Sequence, residues 1–224
     1  MMTPDNRIVL IAGGSGALGQ AVVPAFMQPG SRVVVLDRQA SSTVEGALAM
    51  QVDVTDEADI RRVVQEVREQ VGPIGVLLNL VGGFAAARLV DTETALWQRM
   101  LAMNLTSAFL LSKAVLPQMM ERRTGRIIHV AARAALDPFP GAAAYIVAKA
   151  GLAALIRTLA LETAGTGVTV NGVLPTTIDT PANRTNMPDG DSSKWVKPES
   201  IARLMLFVAS EDSAQLNGAL IPIG

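Results

Sequence analysis

The 224-residue chain predicts one α/β domain, a doubly wound parallel sheet of seven strands with helices on both faces. Three observations carry this expectation. Short apolar runs rich in β-branched residues alternate with longer stretches of helical periodicity along the whole chain. The first run, RIVLIA, leads directly into a glycine-rich turn, GGSGALG. Half of the residues are hydrophobic against 17% charged, which supplies one large core and leaves little composition for disorder.

The elements follow in order. RIVLIA (7–12) reads as a buried strand, and a helix over 18–28 follows it, closed by Pro29-Gly30. RVVVLD (32–37) and ALAMQVDV (47–54) give the second and third strands. Residues 56–71 place apolar side chains at helical spacing, with acids early and an arginine late, as the helix dipole favours. VLLNLVGG (76–83) is the fourth strand with its loop, and 92–120 reads as one long helix with Pro117 near its end. GRIIHV (125–130) is the fifth strand, 143–164 the next helix and GVTVNGVL (167–174) the sixth strand. Residues 175–197 are polar and rich in Pro, Thr, Asp and Asn; they are too long for a plain connection and read as a lid. A helix over 198–210 and a strand over 218–223 complete the single domain, taken as 1–224.

Composition narrows the function. The net charge is −1 with no basic block, which argues against nucleic acid as a partner. With no cysteine and a single histidine, His129, thiolate chemistry and a Cys/His metal centre are excluded. The most apolar later stretch, 142–161, is interrupted by Lys149 and Arg157, so it reads as a buried helix and not a membrane span. The N-terminal residues lack the pattern of a secretory signal, so the expectation is a cytoplasmic protein acting on a small molecule.

The turn after the first strand carries the first chemical signal. Gly14-Ser15-Gly16-Ala17-Leu18-Gly19 fits G-x-G-x-x-G, and the looser spacing from Gly13 to Gly19 also fits a phosphate loop. Glycines let the backbone turn tightly and approach a pyrophosphate, whose charge rests at the helix N-terminus. The bland alternative is a strand–helix turn that merely needs glycine. Gly13, Ser15, Gly16, Leu18 and Gly19 are therefore candidate dinucleotide contacts. Asp37 ends the second strand, where a carboxylate accepts from a ribose 2′-hydroxyl and repels a 2′-phosphate. This favours NAD(H), while the adjacent Arg38 keeps NADP(H) possible. Asp53 and Val54 either flank the adenine or form an ordinary strand-to-helix turn.

Tyr145 is the only tyrosine, and Lys149 follows four residues later. On a helix the two share a face. A nearby ammonium would lower the phenol's pKa and poise it for proton transfer. Alone, this spacing is common; after the fifth strand of a dinucleotide-binding domain it gains weight.

Together these residues resemble the short-chain dehydrogenase/reductase family over nearly the whole chain. The landmarks are AGGSGALG (12–19), Asp37, Asp53, NLVGG (79–83), Asn104 in MNLTSAF, YIVAK (145–149) and PTTIDT (175–180). The resemblance implies a Rossmann-type sheet in the order 3-2-1-4-5-6-7 and a homodimer or homotetramer. It implies that Tyr145 is the acid/base, that Lys149 binds the nicotinamide ribose and tunes the tyrosine, and that Asn104 holds a water in a proton relay. Val81 and Gly82 would border the cofactor, and Pro175, Thr176, Ile178 and Thr180 would seat its carboxamide end.

One position departs from the family pattern. The residue thirteen before the tyrosine, usually a catalytic serine, is Ala132. Losing such a donor costs about 10² to 10³ in rate, unless the acceptor is already electron-poor. A narrower resemblance, to the dihydropteridine reductases within the family, shares this gap. It rests on GGSGALG, AALDPFPG and VLPTTIDTPANRTNMPDGDSSKW, and implies a quinonoid dihydropteridine or similar conjugated acceptor. Another ketone, quinone or alcohol substrate is the alternative, and a non-catalytic dinucleotide sensor a third.

The remaining candidates are weaker. Arg133 either occupies the serine's space or is a solvated loop arginine. Asn183 and Arg184, on the lid, are candidate substrate contacts. His129 reads as a satisfied core histidine. Trp97 and Trp195 read as packing and lid anchors, and Met119-Met120 as core or interface filler. The helices over 92–120 and 143–164 carry more apolar residues than one sheet face buries, which suits a dimer.

Overall fold

The computed structural model describes residues 7–39 and 44–224. Seven parallel strands form one sheet: β1 (Arg7–Ala12), β2 (Ser31–Asp37), β3 (Leu48–Gln51), β4 (Ile74–Asn79), β5 (Gly125–Val130), β6 (Val168–Pro175) and β7 (Leu220–Ile223). Their order is β3-β2-β1-β4-β5-β6-β7, as the resemblance implied. The direction of winding reverses between β1 and β4, so a crevice opens at the carboxyl ends of those two strands.

Helices α1 (Gly19–Phe26) and α7 (Pro198–Val208) cover one face. Helices α2 (Glu57–Gln70), α3 (Thr94–Leu101), α4 (Ser107–Glu121) and α5 (Ala143–Glu162) lie on the other side, and a short α6 (Pro181–Asn186) sits in the lid. Strand alternation explains the two cores. Val9 and Ile11 join Val23, Phe26 and Met205 on the first face. Leu10 and Leu77 join Ile60, Leu111, Ile127 and Leu152 on the second. Each such side chain, fully buried, contributes about 1.5–3 kcal/mol. The start of α2 is set by Asp56, whose carboxylate accepts from the N–H groups of Ala58 and Asp59.

Two predicted elements change form. The third strand is confined to 48–51, because its pairing with β2 ends where Asp37 meets Gln51. The long helix over 92–120 is instead α3 and α4 joined by a π-helical segment, Ala102–Thr106. A π segment inserts one extra residue per turn, and here it brings the amide of Asn104 inward, 1% exposed.

The helices 94–121 and 143–162 are long and apolar enough to cross a membrane by composition alone. Both lay their buried stripes on the sheet, and leave Phe109, Met120, Val147 and Leu161 exposed. Met119 is a core residue and Met120 is not.

Candidate active site

The glycine turn is built for close approach. Gly13 has φ +78 and donates its N–H to Leu36 O at 2.8 Å. A Cβ on Gly19 would lie 2.0 Å from Gly14 O, and one on Gly14 2.9 Å from Val35 Cγ1. A cavity of about 270 Å³ runs from this turn past the end of β2 to the loop after β4. Of the predicted contacts it is lined by Gly13, Gly16, Asp37, Arg38, Val54, Val81 and Gly82. Leu18 and Gly19 instead lie buried beneath the turn.

Asp37 lines the cavity at the end of β2. Its carboxylate accepts from the N–H of Ser15 at 3.2 Å and of Arg38 at 2.8 Å. Asp53 does not line this cavity. Its carboxylate turns back to accept from Thr55 Oγ1 at 2.6 Å and Thr55 N at 2.9 Å, and those bonds hold its pKa below the usual range. Bare glycines on one wall and a ribose-reaching acid on the other fit a dinucleotide.

Tyr145 and Lys149 rise from the first two turns of α5 toward the loop after β4, Tyr145 at Phe84 and Lys149 at Gly82. A Cβ on Gly82 would lie 3.2 Å from Lys149 Nζ and 2.9 Å from Asn104 Oδ1. Lys149 and Asn104 are thus brought to Gly82, and Tyr145 meets the same loop at Phe84. Lys149 is 4% exposed and donates from Nζ to Val130 O at 2.9 Å. Burial pulls its pKa down to about 8. Burial also pushes the Tyr145 phenol up to about 12. The expected lowering by Lys149 is therefore not seen: the ammonium is committed to a backbone carbonyl, and desolvation of the phenolate dominates. At neutral pH the phenol holds its proton, as a proton donor must.

Asn104 has its amide engaged twice by the loop. Oδ1 accepts from Gly83 N at 3.2 Å, and Nδ2 donates to Gly83 O at 3.0 Å and to Met100 O at 3.0 Å. Its side chain ties the loop to the π segment. Phe84, next along that loop and 59% exposed, meets the Tyr145 ring edge-on, with centroids 5.0 Å apart.

Ala132 is buried, immediately after β5, and presents only a methyl group. Arg133 does not fill the missing hydroxyl's place; it is ion-paired with Asp137 one turn on. On the lid, Thr180 caps α6 by accepting from Asn183 N, and Asn183 Nδ2 donates to Ile178 O at 2.8 Å. Arg184 makes a two-point ion pair with Asp179. The side chains of Asn183 and Arg184 are thus occupied within the lid. Pro175, Thr176, Ile178 and Thr180 do not line the cavity; they carry the chain from β6 into the lid, where Ile178 bridges to Val196. Trp195 packs against Gly190 in the same lid.

The sequence did not single out Leu36, Val52, Thr55, Leu80 and Met103, which also line the cavity. Each sits one residue from a predicted contact, so adjacency was the only available signal. His129 lies under the site, 0% exposed, and desolvation, with a lesser push from Lys149, lowers its pKa to about 3. Among the described residues no group of three His, Asp or Glu is arranged to hold a metal ion.

Residues 7–190 match the family described as short chain dehydrogenase. The meso-2,3-butanediol dehydrogenase of Serratia marcescens is 32% identical over 237 residues, spanning 98% of this chain and 93% of that one. The 3-oxoacyl-[acyl-carrier-protein] reductase FabG of Thermotoga maritima is 32% identical over 240 residues, spanning 99% of this chain and 98% of that one. The fold is also that of a solved aldohexose dehydrogenase from Thermoplasma acidophilum, with TM-score 0.90 at 22% identity, covering 98% of this chain and 93% of that one.

Proposed function

The chain belongs to the short-chain dehydrogenase family, and from that premise we propose that it reduces an acceptor that is already electron-poor, such as a quinonoid dihydropteridine. The observation that carries this reading is Ala132, a methyl group where the family places a hydroxyl, beside an intact Tyr145 and Lys149. When bound, the reduced dinucleotide supplies a hydride. Tyr145 delivers a proton from its hydroxyl to the acceptor atom that gains charge, and Lys149, beside Gly82, would hold the nicotinamide ribose. The side chain of Ala132 donates nothing, so a simple ketone would lack the second hydrogen bond that a serine there supplies. A conjugated ring disperses the incoming charge over its own atoms and needs the second donor less. The exposed Phe84 ring beside the phenol supports a flat acceptor.

Asp37 supports a preference for NAD(H), with NADP(H) admitted less well. Exposed Phe109 and Met120 on α4, with Val147 and Leu161 on α5, support assembly as a homodimer or homotetramer through those helices.

A second reading, reduction or oxidation of a ketone or alcohol, is favoured by relatives whose names specify a butanediol and a 3-oxoacyl-[acyl-carrier-protein]. A non-catalytic dinucleotide sensor has no use for the Tyr145 phenol, since binding alone needs no proton donor. The test is stopped-flow NADH oxidation with quinonoid dihydrobiopterin and with a panel of simple ketones. Turnover of the pterin well above the ketones supports the first reading, and the reverse order overturns it.

A further inference from the structure

A chain of three buried side chains runs beneath the cavity, and none of them has a part in the chemistry above. Ser112 on α4, His129 on β5 and Asn79 at the end of β4 are 1%, 0% and 2% exposed. Ser112 Oγ lies 3.0 Å from His129 Nε2, and Asn79 Nδ2 lies 3.4 Å from His129 Nδ1. Asn79 Oδ1 accepts from Val81 N at 3.1 Å. Val81 in turn presses on the phosphate turn: a Cβ on Gly13 would lie 3.1 Å from Val81 N and 3.2 Å from Val81 Cγ2.

The donors and acceptors allow one consistent pattern. Val81 N–H can only donate, so the carboxamide oxygen of Asn79 must face it and the NH₂ must face the histidine. An NH₂ can only donate, so His129 Nδ1 must carry the lone pair. The ring proton is then on Nε2 and donates to Ser112 Oγ. A histidine protonated on Nδ1 would set two donors against each other and favour rotation of the Asn79 amide. Val81 N–H would then face an NH₂ and lose its acceptor.

We propose that His129 is a positioning residue for the dinucleotide: its Nε2–H tautomer, anchored by Ser112, fixes the Asn79 amide and thereby the Val81–Gly82 wall of the cavity. The proposal rests on the dinucleotide site and not on the identity of the acceptor. The surrounding registry supports it, since Asn79 and His129 are direct partners across β4 and β5. Leu80 N is separately bonded to Ala12 O and Gly83 to Asn104, so Val81 is the point of this loop whose hold depends on the histidine. Replacing His129 by leucine keeps the volume roughly constant and removes only the acceptor for Asn79 and the donor for Ser112.

The chain has one histidine, so ¹⁵N-histidine labelling gives a single pair of ring signals. The full chain without acceptor is examined in two ways. NMR reads the tautomer, and fluorescence titration with NADH, with NADPH in parallel, reads the dissociation constant beside the thermal midpoint. The expected result is an Nε2–H ring, and a dissociation constant raised about fivefold in His129→Leu and less, in the same direction, in Ser112→Ala. Thr163→Val, which removes a buried hydroxyl at the far end of α5, lowers the midpoint and leaves NADH binding unchanged. Ser112→Ala keeps the test open if His129→Leu does not fold. An Nδ1–H ring overturns the proposal, as does NADH affinity that stays at the native value in the folded variants. Failure of the native chain to bind either dinucleotide would instead remove the cofactor reading itself.

Discussion

The ammonium of Lys149 donates to the backbone carbonyl of Val130 at 2.9 Å, so the cation is pinned to the end of β5 and not to the phenol of Tyr145. Burial, the cause of its lowered pKa of about 8, makes this side chain a stability liability.

Lys149→Met is therefore expected to raise stability at neutral pH while abolishing most turnover. A lysine bound less tightly to its proton in the folded state costs stability wherever both states are protonated, below pH 8. The cost fades as pH rises from 8 toward the unfolded value of 10.5. Denaturant melts at pH 7 and pH 10 check this. The methionine variant gains up to roughly 3 kcal/mol at pH 7 and much less at pH 10.

Tyr145→Phe keeps the ring against Phe84 and removes only the proton donor. Turnover falls by about 10² to 10⁴ while the NADH dissociation constant stays within about twofold. Single-turnover kinetics with a parallel binding titration measure both. Equal turnover in the variant contradicts the role of the phenol.

Gly19→Ala places a methyl group 2.0 Å from Gly14 O, backbone against backbone, so the turn must open. A loss of more than about 2 kcal/mol in stability is expected, together with loss of NADH binding. Urea unfolding and titration calorimetry report the two effects.

Asp37→Asn removes the charge and keeps an acceptor for only one of Ser15 N and Arg38 N, because the amide NH₂ that replaces the other oxygen can only donate. The ratio of NADH to NADPH affinity is expected to fall by about tenfold, because a 2′-phosphate no longer meets a carboxylate. A ratio that does not move would show that Asp37 does not set the preference.

Much of the fold was legible because parallel strands buried on both faces print continuous apolar runs, and the glycine turn prints its own steric need. The strand order came with the family resemblance, since periodicity does not encode which strands pair. The π segment was hidden because MNLTSAF has ordinary helical composition; the inserted residue answers the tertiary bond between Asn104 and Gly83. The sequence places Tyr145 and Lys149 one turn apart on a helix, and the structure has both on α5. The direction of the Tyr145 shift was not legible, since spacing reports that a cation is near but not that it is spent on Val130. For Arg133 and Arg184, the partners Asp137 and Asp179 stand four and five residues away in sequence, and that spacing was the missed signal.

The central claim is that the acceptor needs no donor where Ala132 stands, and Ala132→Ser tests it most directly. Initial rates of NADH oxidation by the native chain and the variant are compared for quinonoid dihydrobiopterin and for a simple ketone. The account predicts a pterin rate changed by less than about threefold and a ketone rate raised by about 10². A pterin rate raised by the same factor as the ketone rate would contradict it.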